Sequence, residues 1–154
     1  ELAIQAIQLC RDNIVKAVNT QDVKANENMA KASNLSGQAI NITRTTAAHA
    51  LSYKITSKYK LPHGHAVAIC MLGLLKQNIE IIPDANILLE TMRVTKDNIT
   101  KYFAELMENI GLEYNLKNLK ISNIEEIVES VNMERLSNNP KNMTKDDLYS
   151  VFNQ

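Results

Sequence analysis

Tryptophan is absent, glycine and proline number 4 and 3, and aromatics make up only 5% of the 154 residues. So few turn formers and aromatic strand residues exclude a sandwich or barrel, and favour helices. The 17 basic residues balance the 17 acidic ones, so the formal net charge is zero and no basic excess exists to hold a nucleic-acid backbone. No apolar run reaches the roughly 20 residues that a bilayer needs. The most apolar stretch, AVAICMLGLL (66–75), suits a buried core helix. Between Gly37 and Lys76 there is no aspartate or glutamate at all. A carboxylate-based active site is therefore not expected in that stretch.

What is present is helical periodicity. Ala3, Ile7, Cys10, Ile14 and Val18 lie on one face of a first helix. A second helix is expected to start at 22–26 and to carry Met29, Ala32 and Leu35. The small, polar segment Gln38 to Thr46 reads as lining for a cavity. A helix follows from Thr46 to Tyr59, then a turn, Lys60-Leu61-Pro62-His63-Gly64, and the apolar helix from His65 or Ala66 to about Gln77. Further helices are expected at 95–109, ending at Gly111, at 123–131 behind a Ser122 capping box, and after Thr144. The expectation is an all-α domain of about seven helices. Cys10 and Cys70 read as small core hydrophobes, which fits a reducing cytoplasm.

The three histidines, His49, His63 and His65, fall within seventeen positions. Thr45, His49, Tyr53 and Thr56 share one side of their helix, with Ser52 beside them. His49 is by spacing either a hydrogen-bonded core histidine or a ligand. His63, in the Pro-His-Gly turn, is within reach of that stripe, so a shared metal is geometrically open. Two histidines alone leave a metal shell incomplete. Arg44 reads either as a surface cation or as an anion clamp, and His65 as pointing elsewhere. Nucleotide loops, HExxH, CxxC and GxSxG are all missing.

The segment TTAAHALSYKITSKYKLPHGHAV, Thr45 to Val67, resembles the second domain of the iron-containing alcohol dehydrogenase family, with its phrase HAxxH…PHGxA. MAKASNLSGQAIN (29–41) and the closing Asn139-Pro140…Thr144 to Phe152 extend the likeness over nearly the whole chain. The resemblance implies that His49 and His63, fourteen positions apart, are metal ligands for Fe²⁺ or Zn²⁺. It also implies NAD or NADP as cofactor, a small alcohol or aldehyde as substrate, and Tyr53 as a catalytic hydrogen-bond donor. Many family members carry a histidine where this chain has Tyr53, so a proton relay through that position is in doubt. The remaining ligands, an Asp and a His four residues on, and the dinucleotide-binding domain would precede Glu1.

Residues 1–154 are thus expected to be one helical metal-binding domain of a longer enzyme, folding alone and binding neither metal nor nucleotide tightly. Its expected partner is its own N-terminal domain, with homodimerisation open and no membrane or nucleic acid. Arg44-Thr-Thr and His63-Gly-His65 resemble the branch that reduces phosphonoacetaldehyde, with Arg44 binding the anionic substrate. The alternatives are a dehydroquinate synthase or glycerol dehydrogenase type of domain and a non-catalytic helical interaction domain.

Overall fold

A computed structural model describes residues 1–132 and 136–153. Every regular element among them is a helix: α1 Leu2–Thr20, α2 Val23–Ile42, α3 Ala47–Tyr59, α4 His63–Asn78, α5 Ala85–Met92, α6 Ile99–Asn109, α7 Ile124–Glu129 and α8 Lys145–Ser150. The described residues thus hold eight helices where about seven were expected, the addition being α5. They fall into two compact units, one of residues 1–44 and 84–111, the other of residues 45–83 and 112–154.

In the first unit α1 and α2 form a hairpin. Gln21 turns the chain in the left-handed region, and the Asp22 carboxylate accepts the Ala25 amide at 2.7 Å to start α2. The expected stripe of α1 is displaced: Ala3 and Val18 are exposed, and Ala6 is the buried residue. Asn13, which accepts a 3.0 Å hydrogen bond from Asn28 of α2, shows why, since the packed face carries a polar crossing. Gly37 does not break α2, which runs on to Ile42. A helical glycine costs roughly 1 kcal/mol relative to alanine, which a helix of 20 residues tolerates. Residues 40–44 are exposed, whereas Thr45 and Thr46 are half-buried. Arg11 of α1 donates to the Thr91 carbonyl at the end of α5 and pairs with Asp12 at 2.7 Å. The expected helix at 95–109 begins later, at Ile99, because the Asn98 side chain accepts the Thr95 amide and closes a turn first.

The second unit is built on one hydrophobic cluster. Leu51 and Ile55 of α3, Ala66, Cys70 and Leu74 of α4, Ile127 and Val128 of α7, and Leu148 of α8 are all buried in it. The apolar run is indeed a core helix, but α4 starts at His63 rather than at His65 or Ala66. Pro62 has no amide to satisfy, and its carbonyl accepts the Ala66 amide at 3.0 Å, so the helix begins directly after it. Gly73 is required by close approach: a β-carbon there would collide with the Val151 backbone. Asn139 and Asn78 exchange two amide hydrogen bonds, of 3.0 and 3.1 Å, tying the Asn-Pro turn to the end of α4. The cap of α7 is Asn123, which accepts the Glu126 amide at 3.0 Å, one residue beyond the expected Ser122. Both cysteines are free, with Cys70 buried and its thiol pushed up to about 12, and Cys10 half-buried. No described helix is long and apolar enough to cross a membrane.

At α8, Thr144 and Asp147 form a reciprocal capping box. The Lys141 ammonium, then the Thr144 amide and hydroxyl, hold the Asp147 carboxyl down at about 2. A carboxyl depressed in the folded state stabilises it above the ordinary value of 3.8, and that contribution is lost as pH falls towards 2. Asp147→Ala is expected to lower stability by about 1 kcal/mol at pH 7 in urea denaturation, with the gap to wild type narrowing between pH 4 and pH 2. A gap that stays constant over that range would contradict the assignment.

Candidate metal centre

Helix α3 has two faces. Ala47, Ala48, Ala50, Leu51 and Ile55 face the core, and Ser52 joins them, fully buried with its hydroxyl donating to the His49 carbonyl at 2.9 Å. Ser52 therefore belongs to the packed side and not to the polar stripe. His49 is left half-buried and Tyr53 is 43% exposed. Lys60 ends α3 in the left-handed region, and the short connection through Leu61 and Pro62 sets His63 as the first residue of α4. The His63 ring lies 5.4 Å from that of His49, with the planes at 61°, and 5.6 Å from that of Tyr53, with the planes at 14°.

Burial, and secondarily repulsion from His63, hold the His49 imidazole below its ordinary value. A neutral imidazole is the form that ligates metal. Neither ring makes a hydrogen bond or ion pair among the described residues. Two imidazoles bound to one tetrahedral ion through nitrogens at 2.0–2.1 Å have ring centres roughly 5 Å apart, so this spacing fits a shared ion. Among the described residues no third His, Cys, Asp or Glu completes such a site.

The other singled-out residues stand as follows. The His65 Nε2 lies 2.6 Å from the Glu113 carbonyl, so it donates there, anchoring the 112–120 segment to the first turn of α4. Thr56 is half-buried, and its hydroxyl oxygen is buried with no hydrogen-bond partner among the described residues. Arg44 belongs to the other unit and is exposed. Ser130 and Asn132 went unnoticed in the sequence. They line a depression of about 340 Å³ together with Ala50 and Tyr53. No spacing rule links residues some eighty positions apart, and only the packing of α7 beside α3 brings them together.

The family model for the C-terminal part of the Fe-containing alcohol dehydrogenases matches residues 1–154. The chain belongs to that family. Among its relatives, the 1,3-propanediol dehydrogenase of Citrobacter freundii is 37% identical over 83 residues, which are 53% of this chain and 21% of that enzyme. The phosphonoacetaldehyde reductase of Streptomyces viridochromogenes is 32% identical over 77 residues, 50% of this chain and 18% of that one. The crystal structure of the sulfoacetaldehyde reductase of Bifidobacterium kashiwanohense, in complex with NAD⁺, superposes with a TM-score of 0.87 at 26% identity, covering 99% of this chain and 42% of that one. The chain thus spans less than half the length of that reductase. The all-helical architecture is that of the family's C-terminal domain, and neither the dehydroquinate synthase type nor the non-catalytic alternative is favoured.

The depressed His49 value has a measurable consequence in the metal-free protein. An imidazole whose folded value is lowered adds stability that is fully present above its ordinary 6.5 and is lost as pH falls through the folded value. In an NMR titration His49 should show a midpoint below 6.5, and His63→Ala should raise it only part of the way, because burial is the larger cause. A midpoint at or above 6.5 in the wild-type chain would refute this environment.

Proposed function

We propose that residues 1–154 are the helical metal-binding domain of a metal-dependent, NAD(P)-linked alcohol dehydrogenase or aldehyde reductase, with His49 and His63 as two of the ligands to Fe²⁺ or Zn²⁺. The observation that carries this reading is the pair of imidazoles 5.4 Å apart, in a chain matched by the family model over its whole length. The donor set fits: two imidazole nitrogens without other partners among the described residues suit a borderline divalent ion, and the rest of the shell and the nucleotide site would come from an upstream domain. The chemistry supplied by the bound groups is polarisation of a carbonyl by the ion and hydride transfer by the nicotinamide.

What this chain does is hold and orient. His49 keeps its imidazole neutral near pH 7 by burial and by the neighbouring ring, so its lone pair stays available. His63 stands at the start of α4, where Pro62 fixes the backbone. Tyr53, one turn beyond His49 and partly exposed, is the candidate hydrogen-bond donor to substrate oxygen. The two free cysteines agree with a reducing cytoplasm as its location.

In the full-length protein, His49→Ala or His63→Ala should remove most bound metal by elemental analysis and nearly all aldehyde reduction. Tyr53→Phe should lower turnover by about tenfold or more while metal content stays near wild type. Unchanged metal content in both histidine variants would overturn the reading.

The narrower reading is an anionic aldehyde such as phosphonoacetaldehyde. It is supported by Arg44, an exposed cation with no hydrogen bond or ion pair among the described residues, and by the similarity to the Streptomyces reductase. Arg44→Ala should raise KM for phosphonoacetaldehyde about tenfold and leave KM for a neutral aldehyde unchanged. An equal rise for both would remove Arg44 from the substrate site.

A further inference from the structure

Metal-binding histidines usually donate their second ring N–H to a carboxylate or a backbone carbonyl, which fixes the ring plane. Nothing of that kind is present among the described residues. No described residue makes a hydrogen bond or ion pair with either imidazole, and the stretch from Gly37 to Lys76 that carries both has no carboxylate. His63 is moreover exposed, on the first residue of a helix, where neighbouring turns restrain a side chain least. Its ring is nevertheless bounded on two sides, by the His49 ring at 61° and by the face of Tyr53 at 14°. A nearly parallel ring at 5.6 Å is within the range of offset stacking, which restricts the imidazole to planes close to that of the phenol.

We infer that Tyr53 is a positioning residue for the metal site: the flat face of its ring, independently of its hydroxyl, presets the His63 imidazole for the ion. The inference rests on the metal-site reading above and adds a separate role to the same side chain. Tyr53 lies four residues after His49 on α3, so the helix that presents one ligand also carries the platform for the other on the same helical side. Because the platform is built into α3, the orientation exists before any ion arrives.

The two roles separate by substitution. Phenylalanine keeps the ring and loses the hydroxyl, leucine keeps apolar bulk without a flat face, and alanine removes both. Zn²⁺ affinity of the full-length protein, measured by competition with a chromophoric chelator, should be unchanged in Tyr53→Phe. It should be weaker by about three- to tenfold in Tyr53→Leu and Tyr53→Ala, the range that ring stacking supplies. In the metal-free protein the His63 ring protons should be shifted upfield in wild type and in Tyr53→Phe, and should lose that shift in the other two variants. Wild-type Zn²⁺ affinity in Tyr53→Leu and Tyr53→Ala, with His63→Ala binding poorly, would overturn the inference and leave the metal site standing. Wild-type Zn²⁺ affinity in His63→Ala would instead overturn the metal-site reading itself.

Discussion

The packing of α3 against α4 is the constraint on which the second unit depends. Leu51 and Ile55 on one helix and Ala66, Cys70 and Leu74 on the other enter a single buried cluster. Burying that side decides where the remaining side chains go, because residues at other helical angles must lie outside the cluster. His49 and Tyr53 leave α3 away from the packed face, and His63 opens α4 beside them. The ring arrangement follows from core burial combined with a short connection. Lys58 and Lys54, both paired with Glu126, and the Tyr59 hydroxyl, which accepts the Asn123 amide at 3.1 Å, join α3 to the start of α7. Exposed ion pairs of this kind add little stability, so the cluster holds the helix and the pairs set its edge.

The chemistry of the site is shaped as much by what surrounds it as by the histidines. With no carboxylate between Gly37 and Lys76, the ligands proposed for these helices are imidazole nitrogens, which would leave the charge of a bound ion uncompensated from this side. The half-buried environment of His49 disfavours the imidazolium that would compete with a metal.

Much of this was legible in the amino-acid sequence, for identifiable reasons. The fourteen-residue separation of His49 and His63 is carried by one helix, one connection and one helix start, all local, so the pairing could be anticipated. The Thr144 cap was legible because a capping box spans only four residues. The run of α2 through Gly37 was not, since a glycine in an exposed helix costs too little to end it. The start of α4 was misplaced because Pro-His-Gly reads as a turn, while Pro62, with no amide to satisfy and its carbonyl accepting the Ala66 amide, serves equally well as the residue before a helix. Ser52 looked like part of a polar stripe and is instead fully buried, bonded to its own helix, which serine does readily and which no periodicity distinguishes. The stacking of Tyr53 on His63 and the approach of Ser130 and Asn132 depend on tertiary packing alone.

The central claim is that α3 and α4 each contribute one imidazole to a single divalent ion. X-ray absorption at the zinc edge of the Zn²⁺-loaded full-length protein tests it most directly, because imidazole rings give a distinctive multiple-scattering pattern whose amplitude counts them. The account predicts at least two imidazoles in the wild-type shell, and one fewer in any zinc retained by His63→Ala. An imidazole count that is the same in wild type and in His63→Ala would contradict it.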